Sequence, residues 1–304
     1  VRSRGFEVRT GDCLFGDGLT VAPPAARAAE LTSMLLDPDV HAVVPPWGGE
    51  LLIELLPHLD FDALAQATPT WFAGWSDATT FMLPLLLRSG WMSLHGLNLM
   101  DASFAPAPGV APWWEVLQLP AGASFTQHSV GRLQRAFRDY RHEPHLDAWL
   151  LQERTRWRRL GPDEPVAFEG RLVGGCADVV SRLVGTPYGE VARWSAQHGP
   201  TIVFLENCGM PAPDAARCWH QLVLAGWFDH AAGVLVGRTT APSHDDYTQQ
   251  QALADALGGV VDRGVPVLFD VDIGHQPPQL MLVHGASAQV RYEGGAGRIE
   301  QRLG

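Results

Sequence analysis

Apolar residues in the first hundred positions fall into short unbroken runs separated by stretches with helical spacing. His41-Ala-Val-Val44 and Thr70-Trp-Phe-Ala73 are uniformly apolar and short, so each predicts a buried strand. Residues 24–36 place Ala and Leu at helical intervals and predict a helix that Asp37-Pro38 ends. Pro45-Pro-Trp-Gly-Gly49 predicts a turn, residues 50–56 a second helix, and residues 80–88 an apolar third one. At the start, Val1 to Arg9 reads as a helix end, a stop at Gly5 and then a strand. Strands alternating with helices at this interval predict a parallel α/β sheet.

The pattern changes between residues 101 and 165. A Pro-rich stretch over 105–112 predicts a linker, and the Arg- and aromatic-rich residues 132–159 predict a partly helical arm. A second apolar α/β portion follows. Its expected strands are residues 201–205, 233–236 and 266–269, with a helix over 218–225. Residues 280–283 and 288–292 predict antiparallel strands near the end. The expected division is an N-terminal domain over 1–104, a connecting arm over 105–165 and a C-terminal domain over 166–304.

Composition narrows the function. Of 304 residues, 46% are hydrophobic and 18% charged, enough to build a core. The formal net charge of −11 argues against a partner that is a nucleic-acid polymer, whose binding needs a basic surface. No run approaches the roughly 18 apolar residues of a membrane span. No secretory leader is visible, and a reducing cytoplasm is the expected location. All 22 basic residues are arginine. Without lysine there is no P-loop lysine, no Schiff base and no Ser–Lys dyad. Cys13, Cys176, Cys208 and Cys218 include no CxxC pair, so neither a zinc ribbon nor a disulfide scaffold is expected.

Several residues have the right type and place for chemistry. Ser76, in Gly74-Trp-Ser-Asp77, lies between an apolar strand and a helix, the setting of a nucleophile elbow. The Asp77 N–H would face a developing oxyanion. The same serine could be a plain helix N-cap, and the last glycine of GxSxG is absent. Gly48-Gly49 permits positive φ and free N–H groups, or serves as an ordinary turn. Glu206 closes the apolar run Phe204-Leu-Glu206, where α/β folds place ligands. His275 follows Gly274 in a loop after another strand. In chain order these give Ser, Glu and His, a possible nucleophile, orienter and base. His142 and His145, with Pro144 between them, and His244-Asp245-Asp246 read as solvated loops, so no metal site is expected.

The combination resembles the LD-carboxypeptidase family of serine peptidases, which also holds the microcin C immunity peptidases. The matching stretches are Asp37-Pro-Asp-Val-His-Ala-Val-Val44, Gly48-Gly49, Leu55-Leu-Pro-His-Leu-Asp60, Gly74-Trp-Ser-Asp77 and His95-Gly96. Further along come Gly170-Arg-Leu-Val-Gly-Gly175, Gly185-Thr-Pro-Tyr188, Phe204-Leu-Glu206 and Gly274-His275, with Pro278 and Gly285. The resemblance implies a flavodoxin-like N-terminal domain carrying the serine and a C-terminal α/β domain carrying Glu and His. It implies a triad of Ser76, Glu206 and His275, and an oxyanion hole from the N–H of Asp77 and one from the Gly48-Gly49 turn at Gly49. It further implies amide hydrolysis through an acyl-enzyme with no metal or cofactor, in a cytoplasmic homodimer.

Two substrate classes follow from the resemblance: a murein tetrapeptide losing its terminal D-alanine, or an aminoacyl or peptidyl nucleotide analogue. Trp157, in Trp157-Arg-Arg-Leu160, could stack on a nucleobase or simply pack in the arm. With Phe168-Glu-Gly-Arg-Leu-Val-Gly-Gly-Cys176, it tilts the reading toward the immunity type. Departures from the family pattern are the absence of its first strand and Ser/Pro-rich turn, Leu97 for Pro, Cys176-Ala177 for Asn-Leu, and His284 for Pro. The absent strand predicts a sheet lacking a central member. A silent binding relative and an α/β-hydrolase esterase are the competing classes. The three intact triad residues count against the first, and the missing GxSxG counts against the second. The base is expected to titrate near the ordinary imidazole value of about 6.5.

Overall fold

The computed structural model describes residues 1–135, 142–143 and 145–304. A short 3₁₀ turn, Arg2–Arg4, stops at Gly5 with φ 89°, but residues 6–9 form no strand. Helix α1 is Pro24–Leu36, with proline where a missing N–H costs nothing. Strand β1, Ala42–Val43, follows. The helix expected over 50–56 is a 3₁₀ helix, Leu52–His58, which contains Pro57. Helix α2, Phe61–Gln66, is capped by Asp60, whose carboxylate accepts the Ala63 N–H at 2.9 Å. Strand β2, Trp71–Gly74, leads through Ser76 into α3, Thr79–Pro84. After Pro84 the helix widens into a π-turn, Leu85–Ser89, before β3, Leu94–His95.

Helix α4, Trp113–Val116, and strand β4, Ser124–His128, open the middle of the chain. The arm departs from expectation. The described residues of 132–159 form short strands, β5 (Arg132–Leu133), β6 (Glu153–Arg154) and β7 (Arg158–Arg159), and no helix among them. The reason is a period of two: Arg154 and Arg156 point outward while Thr155 and Trp157 turn inward. The C-terminal portion contains β8 (Val166–Cys176), α5 (Ala177–Val180), α6 (Val191–His198) and β9 (Thr201–Glu206). Then come α7 (Ala212–Leu224), β10 (Ala231–Gly237) and α8 (Gln249–Asp262). The chain finishes with β11 (Val267–Val271), β12 (Leu282–Val283), β13 (Ser287–Glu293) and β14 (Ala296–Arg302).

Two sheets result. The first has the order β1-β2-β3-β12, parallel except for β12. The second runs β4-β14-β13-β8-β9-β10-β11-β7. Its centre, β8-β9-β10-β11, is parallel and its flanks are antiparallel. The α/β class is therefore as read from the sequence. The run over 280–283 pairs with β3 in the first sheet, not with its sequence neighbour β13. Buried Gln127 and Gln301 make this possible: Gln127 accepts the Met281 N–H and Gln301 the Val283 N–H, and both donate to the Met281 carbonyl. One apolar core spans both sheets. It joins Phe81, Leu83 and Phe72 from the first portion to Val203, Leu205 and Trp219 from the second. Burial of this shared surface fixes the end of β2 against the end of β9.

Candidate active site

Ser76 sits on a forced turn. Trp75 is extended, and Ser76 then adopts φ 62°, a left-handed conformation that a non-glycine residue adopts at a cost of about 1 kcal/mol or more. The neighbours hold it. The Trp75 N–H donates to Asn98 Oδ1 at 3.3 Å and its indole N–H to Asp101 Oδ2 at 2.9 Å. Thr79 Oγ1 donates to the Ser76 carbonyl at 2.7 Å and accepts the Cys176 N–H at 3.2 Å. The turn is thus bonded to both sheets. Burial pushes the Asp101 carboxyl up, against the pull of the Asn98 N–H and the Trp75 indole.

Asp77 joins this turn to the Gly48-Gly49 loop. Its buried carboxylate accepts the Leu52 N–H at 2.8 Å and the Thr80 hydroxyl at 3.1 Å. Gly48 packs so closely that a Cβ there would lie 2.7 Å from Ser76 Cβ and 2.9 Å from the Asp77 nitrogen. Gly49, at φ 98°, completes the turn. The Gly48-Gly49 turn and the Asp77 amide thus lie side by side at the serine.

The other two residues come from the second sheet. Glu206 ends β9 and is fully buried. His275 lies in the loop after β11, with a side chain 23% exposed, open enough to meet a substrate. His275 Nδ1 is 2.9 Å from Glu206 Oε2, and Nε2 is 3.0 Å from Ser76 Oγ. With Nδ1 protonated and donating to the carboxylate, Nε2 can accept the serine proton. Gly274, at φ 93°, is required here, because a Cβ would fall 2.5 Å from Glu206 Oε2. The Trp75 ring lies against the imidazole, centroids 4.4 Å apart. Burial pushes the His275 pKa down, but the Glu206 carboxylate, with Cys208 beside the ring, raises it above the ordinary value overall. This corrects the expectation of a base near 6.5.

The loop carrying His275 is braced from behind. Arg238 forms a fully buried ion pair with Asp272 and donates to the carbonyls of Gln276 at 2.8 Å and Pro278 at 2.5 Å. Asp272 Oδ2 also accepts the Trp157 indole N–H at 2.7 Å. That bond places Trp157 in the core, 1% exposed, against Gly297 and Phe168's cluster. Trp157 has no face for a nucleobase, so its expected binding role is corrected to packing. A different aromatic pair, Phe104 and Trp149, stacks with centroids 4.1 Å apart beside a cavity of about 40 Å³ that also touches Asp101 and Pro277.

The sequence missed Trp75, Asn98 and Asp101 as supports of the turn. Only the position of Trp75 inside the serine motif hinted at a role. Cys208 and Cys176 flank the triad, and only Cys176 stood out, as a departure from the family pattern. All four cysteines are free. His142 and His145 are exposed, while Arg141 and Pro144 between and beside them lie outside the described residues. Among the described residues no helix is long and apolar enough to cross a membrane.

Comparison with known proteins matches two stretches of the chain. Residues 1–96 match the LD-carboxypeptidase N-terminal domain and residues 169–290 the LD-carboxypeptidase C-terminal domain. A Streptomyces coelicolor protein with a provisional carboxypeptidase assignment is 30% identical over 269 residues, covering 88% of this chain and 74% of that one. The microcin C7 self-immunity protein MccF of Escherichia coli is 22% identical over 274 residues, 88% of this chain and 76% of its own length. A solved MccF structure superposes with a TM-score of 0.81 at 20% identity, covering 99% of this chain and 88% of that one. A muramoyltetrapeptide carboxypeptidase from Oxalobacter formigenes gives 0.69 at 21% identity, covering 99% and 91%. Structures of MccF hold aspartyl sulfamoyl adenosine and glutamyl sulfamoyl guanosine.

Proposed function

This chain belongs to the LD-carboxypeptidase family, and we propose that it is a serine amidase that cleaves small aminoacyl or peptidyl nucleotide analogues through an acyl-enzyme on Ser76. One observation carries the reading: a serine at φ 62° with its Oγ 3.0 Å from an imidazole whose far nitrogen is 2.9 Å from a buried carboxylate. Ser76 Oγ attacks the amide carbon while His275 Nε2 takes its proton. Glu206 holds the Nδ1–H tautomer and stabilises the imidazolium. The oxyanion is met by the Asp77 N–H and by one from the turn at Gly49. His275 then gives its proton to the leaving nitrogen, and water repeats the cycle on the ester.

The nucleotide class comes from the E. coli relative and its sulfamoyl nucleoside complexes. The second reading, release of D-alanine from murein tetrapeptide, comes from the Oxalobacter relative. The two separate in a side-by-side assay by mass spectrometry, with an aminoacyl sulfamoyl adenosine and a murein tetrapeptide as substrates. Release of the amino acid from the first alone supports the proposal, and cleavage of the tetrapeptide alone replaces it. Cleavage of neither, with Ser76 inert to acylating probes, overturns the enzyme reading.

A further inference from the structure

Beside the triad lies a donor set that amide hydrolysis does not use. Cys176, at the end of β8, faces the Glu206 carboxylate. A sulfur from Cys176, an oxygen from Glu206 and a ring nitrogen from His275 all lie within 4.8 Å of one another. Glu206 Oε1 is buried and accepts no hydrogen bond from the described residues. Cys208, half-buried just after β9, also interacts with His275. Asp178 pins the two cysteine segments together: it accepts the Cys208 N–H at 2.9 Å and lies 3.7 Å from Cys176 Sγ.

We propose that Cys176, Glu206 and His275 form an inhibitory site for a thiophilic divalent cation such as zinc. Sulfur, imidazole and carboxylate are the donors zinc takes in tetrahedral sites. Zinc bonds of about 2.0–2.3 Å place such ligands about 3.5 Å apart, so donors up to 4.8 Å apart need to close by at most about 1.3 Å and the 2.9 Å Nδ1–Oε2 pair needs to open by about 0.6 Å. The ion would enter between Glu206 and His275 Nδ1. The Cys176 thiol loses its proton to solvent as the S–Zn bond forms. The Nδ1 proton leaves as well, and Nε2 takes one up, so a single proton is released per ion bound through Cys176. The outcome is a tautomer switch. Nε2 now carries hydrogen and has no lone pair for the Ser76 proton, and the base is lost. Only this inhibitory consequence rests on the serine-hydrolase reading; the metal site does not.

Cobalt(II) tests the site without turnover. Added to the full chain, and to Ser76→Ala, it should give a thiolate-to-cobalt charge-transfer band that zinc abolishes by displacement. Cys176→Ser should lose the band and bind zinc at least about tenfold more weakly by calorimetry, whereas Cys218→Ala should keep both. In wild type, zinc should slow labelling of Ser76 by a fluorophosphonate, and a chelator should restore it. Absence of the charge-transfer band in wild type, or its persistence in Cys176→Ser, overturns the proposal. A band without slowed labelling overturns the inhibitory role. If metal-free protein is never labelled, the serine-hydrolase reading fails instead, and the cobalt spectrum still decides the site.

Discussion

Glu206 ends an apolar strand, and Ser76 and His275 each follow one. A polar residue at the edge of a buried run is where the chain leaves the core. Their protonation was not legible, because it depends on a neighbour 69 residues away in sequence. The Glu206 carboxylate holds the His275 pKa above its ordinary value. His275 must be neutral to act as a base, so kcat/KM should rise with pH through a limb centred above about 6.5. In Glu206→Gln that limb should move down, and kcat should fall by about 10⁴ as the wrong tautomer is stabilised. A wild-type limb at or below 6.5 contradicts this assignment. Trp157 shows the opposite limit. A tryptophan among arginines looks exposed, and only the buried Asp272 acceptor, 115 residues away, explains why its indole turns inward.

Among the elements, the loop from Asp270 to His275 depends on its brace more than on its own sequence. Asp272 neutralises Arg238 and accepts the Trp157 indole in a fully buried position. Asp272→Ala would leave a guanidinium uncompensated in the core, at a cost of about 3–5 kcal/mol. The expected result is a clear drop in melting temperature, with slower acylation of Ser76 in the protein that remains folded. An unchanged melting temperature would show that the pair adds no stability. The strands around this loop were read correctly because each is a continuous apolar run, from Thr201–Glu206 to Val267–Val271. Among the described residues of 132–159, Arg and Trp are compatible with either period, and the outward Arg154 and Arg156 alternating with the inward Thr155 and Trp157 mark a strand rather than a helix. The pairing of β12 with β3 could not be read locally, since it depends on Gln127 and Gln301 replacing strand partners.

At the scale of the whole molecule, two histidines are sealed where the two sheets meet. His95 and His284 are fully buried, with ring centroids 6.2 Å apart. His284 bonds to Ser93 and to the Gly174 carbonyl, whereas His95 has no hydrogen-bond partner among the described residues. Burial lowers the pKa of both, that of His284 to about 4. In the unfolded chain each titrates near 6.5, so below that value the unfolded state binds more protons. Neither ring costs stability above about pH 6.5, and stability is lost as pH falls below that value, for His284 until about pH 4. For His284 the loss amounts to roughly 3 kcal/mol. The melting temperature of wild type should therefore drop more between pH 7.5 and 5 than that of His284→Gln, and parallel curves would contradict it. The same meeting of sheets makes the site, because Ser76 comes from the first and Glu206 and His275 from the second. The most direct test is the intact mass of the protein after exposure to a fluorophosphonate, followed by peptide mapping. The account predicts one adduct per chain, on Ser76, absent in Ser76→Ala and strongly slowed in His275→Ala. No adduct, or one at another residue that survives Ser76→Ala, would contradict it.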